Sequence, residues 1–207
     1  MLSLTEPSLT EVSYHGKDYP LNLTFDAVIT LYGLLDNSDI ASQVDALYQL
    51  LSPQGTVNDD NQLKLLLINT VLDYLSEKPY GTFGGAVDLA GNVLTDDDTP
   101  PDFDFEQDSA AIYASFRQYY GIDLNEERGN MHWDTFIALF DNLGPETPIN
   151  RIRSIRNDDL SDYQGEDNVQ RLQNMKELQS YYMLDSIREK LDEETIADPF
   201  AGIFGIK

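Results

Sequence analysis

Apolar positions recur at helical spacing along much of this chain. Phe25, Val28, Ile29, Tyr32 and Leu35 follow an i, i+3, i+4, i+7 pattern, which predicts an amphipathic helix from about Phe25, capped by Asn22 or Thr24. Asp36-Asn37-Ser38 interrupts it, and Ile40, Val44, Leu47 and Leu51 mark a second helix that Ser38 caps and Pro53-Gln54-Gly55 ends. A third helix is expected from about Asp60 to Ser76. Its face is Leu63, Leu67, Val71 and Leu75, and Leu65, Leu66, Ile68 and Leu72 widen the apolar arc. A helix apolar over so much of its circumference is buried centrally or shared with another subunit, so we expect self-association. Ahead of these helices, Val12 and Tyr14, then Tyr19 and Leu21, alternate on either side of Gly16, the pattern of a small β-hairpin.

After residue 78 the pattern lapses. Residues 79–101 are rich in Gly, Pro and Asp and read as a long loop or linker. Helical spacing resumes with Ile112, Tyr113, Phe116, Tyr119 and Tyr120, and Gly121 supplies a stop. Trp133, Phe136, Ile137 and Phe140 form an aromatic stripe on a helix that Asn130 is placed to cap. Thr147-Pro148 opens a short helix with Ile149, Ile152 and Ile155 inward and Arg151, Arg153 and Arg156 nearby. A long polar helix is expected from about Glu166 to Leu191, with a thin stripe of Val169, Leu172, Met175 and Leu178 or Tyr182. The tail from Pro199 is apolar and Gly-rich. The fold class is therefore mainly α with a small N-terminal β-hairpin, divided into residues 11–78, a linker at 79–101, a helical region at 102–160 and a C-terminal helix and extended tail at 161–207.

Charge narrows the partners. With 37 acidic and 13 basic residues the formal charge is −24, spread evenly over both halves. Such a surface repels nucleic-acid phosphates and anionic lipid, so neither is expected as a partner. No run approaches the roughly 18 apolar residues of a membrane span, and Met1 to Ser13 has no basic region of the kind that opens a signal peptide. The absence of cysteine removes disulfides, thiolate zinc sites and cysteine nucleophiles, and fits a reducing cytoplasm.

We find no catalytic set, cofactor motif or metal site, and do not expect an enzyme. Two distant histidines, His15 and His132, make a poor zinc site, and His132 beside Trp133 suits capping or packing. Asp102, Asp104, Glu106 and Asp108 alternate like the start of an EF-hand loop. Gln107 then stands where that loop needs glycine, and Tyr113 where it needs glutamate. The three arginines of 151–156 are expected to pair with carboxylates such as Asp158 and Asp159.

The order of motifs in residues 102–156 is specific. Asp102-Phe103-Asp104-Phe105-Glu106-Gln107-Asp108 is followed by Ile112-Tyr113-Ala114-Ser115-Phe116 and Tyr120-Gly121-Ile122-Asp123-Leu124. Next come His132-Trp133 with Phe136, Ala138 and Leu139, then Leu143 and Ile155-Arg156. This order resembles the gene-product-fifteen family of long, non-contractile-tailed bacteriophages that infect Gram-positive bacteria. The likeness is dense over 102–156 and looser over 14–76. Family members usually carry a second aromatic after the tryptophan, where this chain has Asp134.

The resemblance implies a tail assembly chaperone, working in the host cell cytoplasm. Its partners would be the tape measure protein, which it coats and keeps soluble, and the major tail tube protein, whose subunits it brings. It would leave before the tail is finished. Tyr113, Phe116, Tyr120, Trp133, Phe136 and Phe140 are the candidate partner-binding residues, with ordinary core as their competing role. Two other functions stand as alternatives: a structural tail or connector protein of the virion, beside the same resemblance, and, from the charge of −24, an acidic mimic of DNA that inhibits a host protein.

Overall fold

The structure, a computed structural model, describes residues 2–37, 40–52, 60–77, 101–163 and 165–197. The linker expected at 79–101, apart from Pro101, and the tail from Pro199 lie outside these residues, as do Ser38 and Pro53 to Gly55. Among the described residues the chain is mostly helical, with eight α-helices and one two-stranded antiparallel hairpin. They fall into two compact units. The first is Met1–Leu94 with Asp123–Asn142, the second Thr95–Ile122 with Leu143–Lys207. The stretch 102–160 is thus shared between them.

In the first unit, β1 (Glu11–Tyr14) and β2 (Lys17–Pro20) pair from Glu11 with Pro20 to Tyr14 with Lys17. His15 and Gly16 form the turn, with φ of 50° and 74°. Two successive positive φ values match the right-handed twist of the strands, which is why glycine sits here. The hairpin packs its β1 strand on the third helix, and Val12 is buried.

Three helices follow: α1 (Phe25–Asn37), α2 (Ile40–Leu51) and α3 (Asn61–Ser76). Val28 and Leu31 of α1, Leu47 and Leu51 of α2, and Leu63, Leu67, Ile68 and Val71 of α3 are almost wholly excluded from solvent. Asp60 caps α3, its carboxylate accepting from the N–H groups of Gln62 (2.9 Å) and Leu63 (3.3 Å). Lys64 is buried along its stem and reaches Asp45 of α2 at 2.6 Å. Leu65 and Leu66 remain 45% and 37% exposed, so α3 is not buried all round.

The first unit is completed by α5 (Trp133–Asp141), which lies far along the chain. Its approach is fixed by main-chain bonds. Phe25 N–H donates to Met131 O (3.0 Å), and Trp133 N–H to Leu23 O (2.7 Å). The Asp26 carboxylate accepts from Gly129 N–H at 3.0 Å. These bonds place His132, rather than Asn130, at the N-cap of α5, where its Nδ1 accepts from Asp134 N–H. Asn130 instead donates its side-chain amide to Glu126 O.

The second unit holds α4 (Ser109–Tyr119), α6 (Pro148–Arg156), α7 (Val169–Tyr182) and α8 (Asp185–Ala197). Gly121 follows α4 with φ 72°, the left-handed stop expected of it. Ile112, Phe116 and Ile149 are buried, while Ile152 and Ile155 are half-buried. The Ser115 hydroxyl joins two helices by donating to Ala111 O (2.6 Å) and accepting from Ile149 N–H (3.0 Å).

The single helix expected from Glu166 to Leu191 is two. A 3-10 turn at Glu166–Asn168 leads into α7, and Met183 leaves the helix with ψ 135°. Burial favours the break. Leu172, Met175, Gln179 and Tyr182 share the half-buried side of α7, whereas Leu184 is 1% exposed and Ile187 half-buried. On one uninterrupted helix those two sets would face about 130° apart, so a straight helix has no single core side for both.

Candidate functional site

The motif segment of the second unit is organised by arginine. Residues 102–108 form a tight turn in which the Asp104 carboxylate accepts from Glu106 N–H (2.9 Å) and Gln107 N–H (2.6 Å). Asp108, 5% exposed, closes the turn by accepting from Asp104 N–H at 3.0 Å. Its two oxygens also take the fork of Arg156, at 2.6 Å and 2.8 Å. Arg156 donates further to Asp102 O (3.0 Å) and Tyr182 O (2.6 Å). One guanidinium therefore joins the turn before α4, the end of α6 and the end of α7. The bidentate geometry suits Arg and no other side chain.

Arg153 forms a second, more exposed link. Its Nε donates to the Asp102 carboxylate at 2.9 Å, which also accepts from the Asn157 amide at 3.1 Å. Its guanidinium lies 5.3 Å over the Phe103 ring, which meets Phe105 edge-on. Arg153 and Arg156 do pair with carboxylates, but with Asp102 and Asp108 rather than with Asp158 and Asp159. Asp158 accepts from the Tyr163 hydroxyl (2.7 Å), and Asp159 from Ser161 N–H (2.8 Å). That second bond, made with the charged form, holds the Asp159 carboxyl below its ordinary pKa. Arg151 meets Glu146 at an exposed site. Beside this cluster, Leu143, Pro145, Asn150, Arg151 and Ser154 border a shallow, open depression of about 670 Å³.

The six aromatic candidates divide between the units. In the second, Phe116 is fully buried and meets the half-buried Tyr120 edge-on at 5.9 Å, and Tyr113 is also half-buried. Burial, and then the neighbouring Tyr119, push the Tyr120 phenol above its ordinary pKa. In the first unit, Phe136 lies between Phe25 (4.9 Å, near-parallel), Trp133 (5.6 Å) and Phe140 (6.1 Å). Phe136 is fully buried, Phe140 is 2% and Trp133 6% exposed. These three rings build the core on which a surface rests. The large apolar side chains that do reach solvent are others, among them Leu65, Leu66, Tyr119, Leu178, Tyr181 and Leu191. Sequence periodicity hinted only at Leu65 and Leu66, which overfill the arc of α3.

Asp134, next to Trp133, has a structural role. It is 2% exposed and accepts a hydrogen bond from the Tyr74 hydroxyl of α3. Beside it, His132 bonds through both nitrogens: Nδ1 accepts from Asp134 N–H, and Nε2–H donates to Leu9 O at 3.1 Å. This pattern assigns the neutral Nε2–H tautomer. Burial, and then the Asp134 carboxylate, push the Tyr74 phenol up to about 12, from an ordinary 10.0. A phenol whose pKa is raised by folding contributes stability in full below pH 10, and that contribution is lost as the pH rises through 12. The stability difference between the native chain and Tyr74→Phe is therefore expected to stay constant below pH 10 and to shrink between pH 10 and 12. Urea titrations of both proteins at stepped pH read this directly, with the other tyrosines cancelling in the difference.

Residues 4–184 match the family model described as Bacteriophage Gp15 protein. The chain belongs to that family. The match runs through both units, includes the whole arginine cluster and the Tyr74–Asp134 pair, and ends at Leu184, just before α8. No curated protein and no solved structure matches the chain. Among the described residues of this Gp15 family member, no helix is long and apolar enough to cross a membrane. Nor is any group of three or more His, Asp or Glu arranged to hold a metal ion.

Proposed function

We propose that this chain is a tail assembly chaperone. It binds the tape measure protein in the host cell cytoplasm, keeps it soluble and recruits tail tube subunits, then departs before the virion is complete. The observation that carries this reading is membership of the Gp15 bacteriophage family over residues 4–184. The chemistry is compatible with a reversible holder that has no catalytic step and no cofactor. A charge of −24 keeps such a protein soluble and disfavours nucleic acid and anionic membrane as partners. Exposed Leu65, Leu66, Leu178 and Tyr181 offer apolar contact.

Co-expression tests the reading. Tape measure fragments are expected to remain in the soluble fraction and co-purify when this chain is present, and to precipitate when it is absent. Fragments that are equally soluble either way, with no co-purification, would remove the chaperone role.

A further inference from the structure

The break between α7 and α8 has no local cause. Residues 166–191 contain neither glycine nor proline, and Tyr182-Met183-Leu184-Asp185-Ser186 has no helix breaker. Yet Met183 turns out of the helix at φ −56° and ψ 135°. Local preference and the observed conformation are in conflict, and what offsets the lost helical hydrogen bonds comes from elsewhere in the second unit. The Gln107 amide spans the break: its Nε2 donates to Met183 O at 3.1 Å, and its Oε1 accepts from Asp185 N–H at 2.9 Å. Arg156 Nε holds Tyr182 O at 2.6 Å. Leu184 is buried between the two helices in sequence.

We propose that the α7–α8 junction is a latched hinge, with Gln107 as the latch. While the 102–108 turn is seated, the helix is broken at Met183 and Leu184 is held inside. When the turn withdraws, both Gln107 bonds leave with it, and α7 and α8 join into one continuous helix. The turn and the junction are separated by about 75 residues in sequence but share two hydrogen bonds, so displacing one reports on the other. Joining rotates Leu184 away from the core and onto the side that already carries the exposed Tyr181 and Leu191. The device is independent of which partner the protein binds.

The chain has no cysteine, so two can be introduced at the exposed positions Gln170 and Lys190 and spin-labelled in the full-length protein. Pulsed electron paramagnetic resonance then gives the distance across the junction. The native background is expected to give one distribution. Gln107→Ala is expected to shift a major population to that of a continuous helix, about 30 Å between the two backbones. Adding Ser186→Pro should return the native distribution, because proline is tolerated in the first turn of α8 but not inside a continuous helix. Asp104→Ala loosens the turn while leaving Gln107 in place, and should produce the same shift. A distribution unchanged by both latch variants would overturn the proposal. So would a shift that Ser186→Pro fails to reverse, or loss of the cooperative unfolding transition in both variants, since the latch is local.

Discussion

Replacing Arg156 with alanine is expected to cost about 3–5 kcal/mol of folding stability, the range for breaking a buried ion pair by removing one partner. The residue is 8% exposed at its side chain, and Asp108 opposite it is 5% exposed. Truncation leaves the Asp108 carboxylate buried without its bidentate donor. It also removes the donor from Asp102 O and Tyr182 O, so three segments lose their common anchor. Arg156→Lys should recover little, because an ammonium cannot serve two carboxylate oxygens and two carbonyls from one planar fork. Guanidinium titration followed by circular dichroism checks the effect. A loss below about 1 kcal/mol would place the pair among weak surface bridges, against the burial seen here.

Phe136→Ala is the second large effect, about 3–5 kcal/mol, from lost burial and the cavity left behind. Phe136 has no exposed surface and touches Phe25, Trp133 and Phe140. Trp133 is the only tryptophan in the chain, so its fluorescence reports this site specifically. Its emission should move to longer wavelength as water reaches the vacated side of the ring. Phe136→Leu, which keeps more volume, should cost distinctly less. An alanine variant of native stability with unshifted emission would show that the stacked rings are not the core of the first unit.

Local features were legible in the sequence and long-range ones were not. The hairpin at Gly16, the α3 start at Asp60, the stop at Gly121 and the Thr147-Pro148 entry each depend on a few adjacent residues, and each is present. The arginine pairings were misplaced because adjacency favours Asp158 and Asp159, whereas folding brings Asp102 and Asp108 from about 50 residues away. The break at Met183 was hidden because composition there favours a helix, and only the competing burial of Leu184 shows otherwise. The role of Asp134 depends on Tyr74, 60 residues earlier, and no periodic pattern links them. The aromatic stripes were visible as stripes. Their direction was not, since a stripe facing a core and one facing a partner have the same spacing. The motif order in 102–156 was legible because a family likeness rests on identities along the chain and needs no contact map.

A chaperone is present while the tail is being built and gone once it is finished. Quantitative mass spectrometry of tail intermediates from infected cells, set against purified finished virions, tests this most directly. The chaperone account predicts the chain in stoichiometric association with the tape measure protein in the intermediates, and its absence from virions. Stoichiometric amounts in finished virions would contradict it and make the protein a structural part of the tail.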